Sequence, residues 1–350
     1  MIVLPDDTTG PARARLNPRV KLIVGLVVGV AAVWLVVSTA GGVGDAIDAV
    51  RRMRSGFVEV ALAAAAARLA LYGLQLLWLG RRSGPLAVRT AFGLALVVFG
   101  FGAVTPAAPA EGLTIASREL QQRGRTKGQA RLTLGLCEWF AQRTFYVVAA
   151  IDLIVVVSIG HLAMANSWPL VIGATMVLFA LAGTAMLARR PTSAERVAVI
   201  LAAIRIRQPK APAETTRAVA DVWHAQAMEM IGPAAKRVRL AAVSAGAVLA
   251  DAATLWATCH AAGFHIHPEL ALLATTVGTM ASWIPLLPSG LGVVEAAIPA
   301  ILHRFGAPLD DALAATLVYR AAGTLLPALA GGVAIAALRS HRAPNDPSDA

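Results

Sequence analysis

Seven charged residues lie within apolar stretches of the sequence, where a charge is costly unless it has a partner or water beside it. They are Arg68, Glu138, Arg143, Asp152, Asp251, Glu295 and Arg320. Each taken alone fits a structural ion pair between helices, or a long side chain that reaches an interface. As a set, the acids and arginines indicate a polar cavity inside a membrane protein.

Such a cavity suits a phosphate group. Arginine binds phosphate through two parallel hydrogen bonds and keeps its charge when water is removed. We therefore predict that Arg68, Arg143 and Arg320 bind the headgroup of a phospholipid or of a polyprenyl phosphate. Glu138 and Glu295 would bind a cationic headgroup or hold those arginines in place.

Backbone groups extend this predicted site. In the run Pro288-Ser289-Gly290-Leu291-Gly292, the glycines would let backbone N–H groups approach an anion at the start of a helix. Glu295 lies about one turn further along that helix.

The signatures of other chemistries are missing. No nucleophile elbow, Walker loop, His-Glu-x-x-His motif or dinucleotide fingerprint occurs, and nothing positions a base for Ser289. Cys137 and Cys259 lie in apolar segments, which argues against a disulfide framework or a cysteine metal site. A small cluster is interpreted as loop histidines and not as a metal site: His260, His265 and His267, with Glu269 nearby. We expect no catalytic residue, no metal and no cofactor.

The composition excludes most classes of soluble protein. Hydrophobic residues make up 57% of the 350 residues even without glycine, and charged residues only 15%. A soluble chain of this length has too little interior to bury so many apolar side chains. The net charge of +11 is more typical of cytoplasmic loops that face anionic lipids than of nucleic-acid binding. We expect an all-α, multi-spanning membrane protein with no nucleic-acid partner.

Six stretches are long and apolar enough to cross a membrane, which takes about 20 residues of helix. They are Leu22–Gly44, Phe57–Leu79, about Leu132–Ile159, Pro169–Ala188, Leu240–Ala262 and Asp310–Leu338. The first resembles a signal peptide, but its length favours an uncleaved span.

Two further apolar stretches, Thr90–Ala110 and Leu270–Val294, are interrupted by prolines. The interrupting pairs are Pro106 with Pro109 and Pro285 with Pro288, and the first stretch becomes polar from Glu111 onward. Proline disrupts a helix, and the freed backbone groups are tolerated at membrane depth only beside protein or water. We interpret both stretches as re-entrant helical hairpins.

Basic residues predict which side each loop faces. Residues 189–239 hold ten Lys and Arg against four Asp and Glu, whereas His161–Trp168 and His260–Glu269 hold no Lys or Arg. With two hairpins, nearly every basic segment falls on the cytoplasmic side, as the positive-inside rule expects. The exceptions are Arg51, Arg52 and Arg54. We predict a multi-pass protein of the plasma membrane with both termini in the cytoplasm.

The hairpins divide the chain into two similar halves of opposite orientation. Charged residues lie at comparable distances from the two breaks: Arg68 before and Arg143 after Pro106, and Asp251 before and Arg320 after Pro285. We predict one membrane domain over residues 1–350, with pseudo-repeats at about 55–188 and 239–338 and a basic loop at 189–238 between them. Inverted repeats with broken helices are a recurring design of transporters.

Three parts of the second half resemble a known family. They are the run from Pro285 to Ala297 (PLLPSGLGVVEAA), the turn Phe305-Gly306-Ala307-Pro308 and the segment Leu317-Val318-Tyr319-Arg320. They resemble the transmembrane region of lysylphosphatidylglycerol synthases, which stand-alone flippase-like membrane proteins share. The first hairpin resembles the family's earlier Pro-Gly-x-x-Gly-Glu stretch less closely. Ala110 and Ser289 each replace a family glycine.

The resemblance implies a protein that moves aminoacylated phospholipid between leaflets, with membrane lipid as its ligand. In the full-length synthases a soluble aminoacyl-transferase domain follows this region. This sequence ends at Ala350, soon after its last span, so we expect no aminoacylation and no enzyme activity.

Alternative functions stay open. The chain would instead be a non-transporting partner that recruits or regulates an envelope-lipid enzyme through loop 189–238, which is basic and amphipathic. An integral membrane enzyme is a more distant alternative. Assembly into an oligomer also stays open.

Overall fold

A computed structural model describes residues 48, 50–104, 109–160, 174–175, 177–178, 181, 225–282, 290 and 292–340. The predicted span Leu22–Gly44, most of Pro169–Ala188 and most of loop 189–238 lie outside these described residues. Every regular element in the described part is helical, as the sequence predicts.

The longer described helices follow one another in the order of the predicted apolar stretches. They are α1 (Ser55–Gly80), α2 (Val88–Val104), α3 (Pro109–Gln121), α4 (Lys127–Ser158), α5 (Ala234–Ala261), α6 (Pro268–Ser282), α7 (Val293–Arg304), α8 (Leu309–Arg320), a π-helical segment (Ala321–Leu325) and α9 (Leu326–Ser340).

Four of these helical stretches are long and apolar enough to cross a membrane. They are Ser55–Gly80, Lys127–Ser158, Ala234–Ala261 and Leu309–Ile335. Each coincides within a few residues with a span that the sequence predicts. Large apolar side chains remain exposed on them, including Ile154 on α4 and Leu329 on α9. Such surfaces are costly in water and suit contact with lipid.

The longest helix, α4, begins at a defined capping box. The Thr126 hydroxyl accepts the backbone N–H of Gln129, and the Gln129 side chain accepts the N–H of Thr126. A long apolar run without proline then continues the helix to Ser158. The cap therefore defines the residue at which α4 begins, directly after the basic segment.

The two proline-interrupted stretches each form a pair of shorter helices. In the first, α2 and α3 pack against each other; in the second, α6 packs against α7. Each helix is shorter than the four candidate spans. Three breakers, Pro106, Pro285 and Pro288, lie outside the described residues.

The most extensive helix contact in the described part of the chain joins α1, from the first predicted half, to α5, from the second. One apolar core lies among α1 to α4 and α9 and includes Leu240 of α5, and a second lies among α5 to α8. The last helix, α9, thus packs on α2 of the first half. This crossing of elements places polar groups from both halves side by side.

Candidate functional site

Arg68 and Asp251 form an ion pair between the two halves. Arg68 lies within α1 and Asp251 within α5, and Nη1 of the arginine donates to Oδ1 of the aspartate at 2.5 Å. The Arg68 guanidinium also lies over the Phe99 ring, 4.9 Å from its centroid. Both charges are largely buried, so removing one would leave the other uncompensated in the interior.

The second partner of Arg68 is a carbonyl that a proline leaves free. Pro327 in α9 has no N–H, so it cannot bond the carbonyl of Gly323, four residues earlier. The chain takes a π-helical turn over Ala321–Leu325 at this point. Nη2 of Arg68 donates to the Gly323 oxygen at 3.3 Å. Pro327 thus leaves the Gly323 carbonyl without its usual helical donor, and Arg68 donates a hydrogen bond to this carbonyl instead.

Glu295 and Arg320 form a second ion pair, between α7 and α8. Nε of Arg320 donates to Oε1 of Glu295 at 2.9 Å, while Oε2 accepts the backbone N–H of Gly292 at 2.7 Å. Gly290 and Gly292 have φ of 66° and 84°, a left-handed backbone that favours glycine. Glycines of the predicted run therefore form the turn that fixes Glu295. The N–H of Gly292 binds this internal carboxylate.

Tyr319 lies between the two ion pairs. The charges of Asp251, Arg68 and Arg320 all act on its hydroxyl. Nη1 of Arg320 also reaches Thr324 Oγ1, in the π-helical segment, at 3.4 Å. The two ion pairs thus belong to one polar line that runs from α1 and α5 through α8 to α7.

Glu138 contacts a tyrosine. Tyr72 on α1 donates its hydroxyl to Glu138 Oε1 at 2.6 Å. One turn further along α1, Gln75 donates to the backbone carbonyl of Cys137 at 3.0 Å and accepts the hydroxyl of Ser244 at 3.1 Å. These contacts tie α1, α4 and α5 together beside the Arg68 pair.

Arg143 differs from the other two predicted arginines. Its guanidinium lies over the Trp139 ring, 4.4 Å from the centroid, one turn away on α4. Within the described part of the chain no carboxylate lies within ion-pair distance of it. Of the three arginines, Arg68 and Arg320 therefore carry compensated charges, and the structure leaves Arg143 with a ring contact.

The remaining predicted residues can be placed only in part. Pro109 and Glu111 lie in the first turn of α3, and their side chains are not described. The run around Gly290 is described at that glycine and again from Gly292 onward, so Ser289 lies outside it. Among the described residues no group of three His, Cys, Asp or Glu side chains could hold a metal ion.

Two cationic grooves flank the helices away from this polar line. One, with a volume of about 510 Å³, lies between α3 and the first turns of α4 and is lined by Leu113, Thr114, Ser117, Arg118, Gln121, Lys127, Arg131, Leu134 and Gly135. The other, of about 280 Å³, is lined by Trp78, Leu79, Arg81, Arg82, Met230, Ile231, Lys236, Arg239 and Leu240. Neither lining contains a carboxylate. The sequence indicated only basic segments here, because the grooves arise from helix packing.

A comparison with protein families decides where the chain belongs. The family model described as "Lysylphosphatidylglycerol synthase TM region" matches residues 22–331. The chain belongs to this family. The match includes the charged residues of the polar line and both proline-interrupted stretches. No curated protein matches the chain.

Membership of the lysylphosphatidylglycerol synthase TM region family makes this a membrane protein of lipid metabolism or transport. The four candidate spans and the lipid-suited surfaces agree with that class. The polar line lies between helices that carry exposed apolar side chains.

Proposed function

We propose that the chain is a flippase-like transporter of a phospholipid or of a polyprenyl-phosphate-linked lipid. The observation that carries this proposal is the polar line, in which Tyr319 lies between two buried arginine–carboxylate pairs. Buried charges inside membrane spans commonly mark the path of a charged substrate. Family membership supports a lipid as that substrate.

The ion pairs suggest how a headgroup is accepted. A lipid phosphate carries the same sign of charge as Glu295, so it can replace this carboxylate as the partner of Arg320. Glu295 would keep the hydrogen bond from the Gly292 N–H and would remain partly compensated. Exchange of one anion for another avoids leaving an arginine unpaired at membrane depth, which would be costly. The acyl chains would stay in the surrounding lipid.

The paired short helices support the alternation of access that transport needs. In our proposal, α2 with α3 and α6 with α7 are re-entrant hairpins that enter from opposite faces of the membrane. Rocking of one half against the other about α1 and α5 would then open the polar line to each leaflet in turn. The ion pair between Arg68 and Asp251 spans this contact and would respond to such movement.

The groove beside α3 supports collection of an anionic headgroup from one leaflet. Arg118, Lys127 and Arg131 line it with no carboxylate, and Leu113 and Leu134 supply an apolar part. This mixture of cations and apolar surface suits the boundary between headgroups and acyl chains. By the predicted topology, the groove faces the cytoplasm.

Transfer of lipid in reconstituted vesicles tests the proposal. Fluorescent analogues of phosphatidylglycerol, phosphatidylethanolamine and a polyprenyl phosphate would be followed between leaflets for the wild type and for Arg320→Ala. We expect Arg320→Ala to lower the transfer rate at least about tenfold, because a hydrogen bond to a charged group contributes about 1.5–3 kcal/mol. Arg304→Ala, an exposed arginine at the end of α7, should transfer normally.

Equal transfer by Arg320→Ala and Arg304→Ala would remove Arg320 from the proposed mechanism. If the folded wild type transfers none of the three lipids, the alternative of a non-transporting partner is favoured. Deletion of about residues 193–230 would then be expected to abolish capture of an envelope-lipid enzyme.

A further inference from the structure

Asp152 is a buried carboxyl group that the polar line does not use. It lies on α4, six residues before the end of the helix at Ser158, which is about 9 Å along the helix axis. The residue is 4% exposed, and its Oδ2 atom has no hydrogen-bond partner. Both facts distinguish Asp152 from Asp251, whose carboxylate pairs with Arg68.

A carboxylate in this position would be poorly stabilised. Burial removes the water that solvates the charge, and no arginine or lysine of the described residues pairs with Asp152 to replace that water. The charged group that acts on it is Glu269, which carries the same sign. Burial without a partner and a neighbouring charge of the same sign both make an ionised carboxyl group costly at this position.

Glu269, whose charge acts on Asp152, lies closer to the surface of the protein than Asp152 does. It lies in the first turn of α6, the helix that packs on this end of α4 through Val156, Leu270 and Leu273. Its Oε1 atom is 3.8 Å from Nδ1 of His267. The exposed fraction falls along this series, from 68% for the His267 side chain and 19% for that of Glu269 to 4% for Asp152.

Within the described part of the chain, no salt bridge joins Asp152 to the other elements packed on α4. From α5, Asp251 is already paired with Arg68 of α1, and Cys259 belongs to the core with α6 and α7. The charged residues of α3, such as Arg118, lie near the opposite end of α4. Further inward on α6, Thr276 has a buried hydroxyl without a partner, two turns from Glu269 and on the same face.

We propose that Asp152 is a proton-binding site within the membrane, loaded from the surface through His267 and Glu269. A proton from water or from the His267 imidazolium protonates Glu269. It then passes to Oδ2 of Asp152, which leaves Glu269 ionised again. Asp152 would then release the proton past Thr276, towards the other side of the membrane. By the predicted topology, His267 faces the outside of the cell.

Coupling of this proton to lipid movement rests on the function proposed above. The helix that carries Asp152 also carries Glu138 and Arg143. A change of charge at Asp152 would alter the packing of α4 on α6, and so the opening of the second half. The site gives the transporter a source of energy in the proton gradient.

Infrared spectroscopy of the full-length protein tests the proton site directly. A protonated carboxylic acid has a C=O stretching band that shifts in deuterated water and disappears when the group ionises. We expect this band at neutral pH in the wild type and its loss in Asp152→Asn. Glu59→Gln, which changes an exposed carboxylate on α1, should leave the band unchanged. A wild-type spectrum identical to that of Asp152→Asn would overturn the proposal.

The route is tested by two further variants in the same measurement. Glu269→Gln removes the neighbouring negative charge, so the pH at which the Asp152 band disappears should move downward. His267→Ala should slow the deuterium shift of the band while leaving its size unchanged. If neither variant changes the midpoint or the exchange rate, the proposed route is wrong.

Transfer assays separate the coupling from the transporter function. With fluorescent phosphatidylglycerol in vesicles of phosphatidylcholine and phosphatidylglycerol, a pH gradient should accelerate transfer by the wild type but not by Asp152→Asn. Arg320→Ala should lose transfer and keep the infrared band. A band without any transfer would contradict only the proposed function, whereas transfer without the band would contradict only the proton site.

Discussion

Arg125 illustrates how much a single side chain can hold together in this protein. It lies between α3 and α4, is almost fully buried, and donates to Ser83 Oγ and to the carbonyls of Gly80, Gly84 and Pro85 at 3.0–3.3 Å. Burial, with a smaller effect from the charge of Arg123, lowers the pKa of its guanidinium. Arg125 thus binds carbonyls of the loop that follows α1 and shares the Gly80 carbonyl with Ser83.

Replacement of Arg125 should destabilise the fold while leaving the polar line intact. In Arg125→Ala, the part-buried carbonyls of Gly84 and Pro85 lose the Arg125 donor, and a buried group left unsatisfied costs about 1–3 kcal/mol. Arg125→Lys should recover only part of this, because an ammonium group lacks the planar fork. Thermal unfolding in detergent would measure the loss against Arg89→Ala, an exposed arginine on α2. An unchanged unfolding temperature for Arg125→Ala would contradict the structural role.

The contact of α2 with α9 shows how elements from different halves are fitted together. A Cβ atom added at Gly331 would lie 2.6 Å from the Leu96 carbonyl oxygen, and one added at Gly100 would lie 2.4 Å from that of Pro327. The backbones therefore approach too closely for any side chain at these positions. Small residues that permit such approach are typical of helix contacts in membranes.

Two adjacent glycines provide a matched test of this contact. Gly331→Ala should destabilise the protein by about 1–3 kcal/mol, because the methyl group overpacks the contact with α2. Gly332→Ala should be neutral or slightly stabilising, because a Cβ atom there has nothing within 4 Å and alanine favours helix by up to about 1 kcal/mol. Unfolding in detergent would separate the two variants. Equal stability of Gly331→Ala and Gly332→Ala would show that close packing of α9 on α2 does not stabilise the protein.

For the whole molecule, the sequence predicts the spans better than the partners of its charges. Apolar length determines where a helix can cross a membrane, so the four described spans follow directly from composition. The pairing of Arg68 with Asp251 depends on how α1 packs on α5, which no local pattern encodes. The acceptor at Gly323 could have been found, because Pro327 necessarily frees a carbonyl four residues earlier. The cationic grooves could not have been predicted, because their linings come from helices that are far apart in the sequence or meet only in the packed structure.

The predicted topology is the whole-molecule property on which the proposed mechanism most depends. The positive-inside rule assigns residues 118–131 and 189–239 to the cytoplasm, and His161–Trp168 and His260–Glu269 to the outside. This arrangement requires the breaks at Pro106 and Pro285 to be hairpin tips that enter from opposite faces. It also places the proton entry at His267 and the groove beside α3 on opposite sides of the membrane.

Single cysteines test this arrangement in intact cells. The background would lack Cys137 and Cys259, which are both buried, and cysteines would be placed at Gln122, Ser167, Lys210 and His265 in turn. A membrane-impermeant thiol reagent should label Ser167→Cys and His265→Cys in intact cells, but Gln122→Cys and Lys210→Cys only after permeabilisation. Labelling of Gln122→Cys from outside would make the first interrupted stretch a full span. The two halves would then share one orientation, and alternating access between opposed hairpins would no longer be possible.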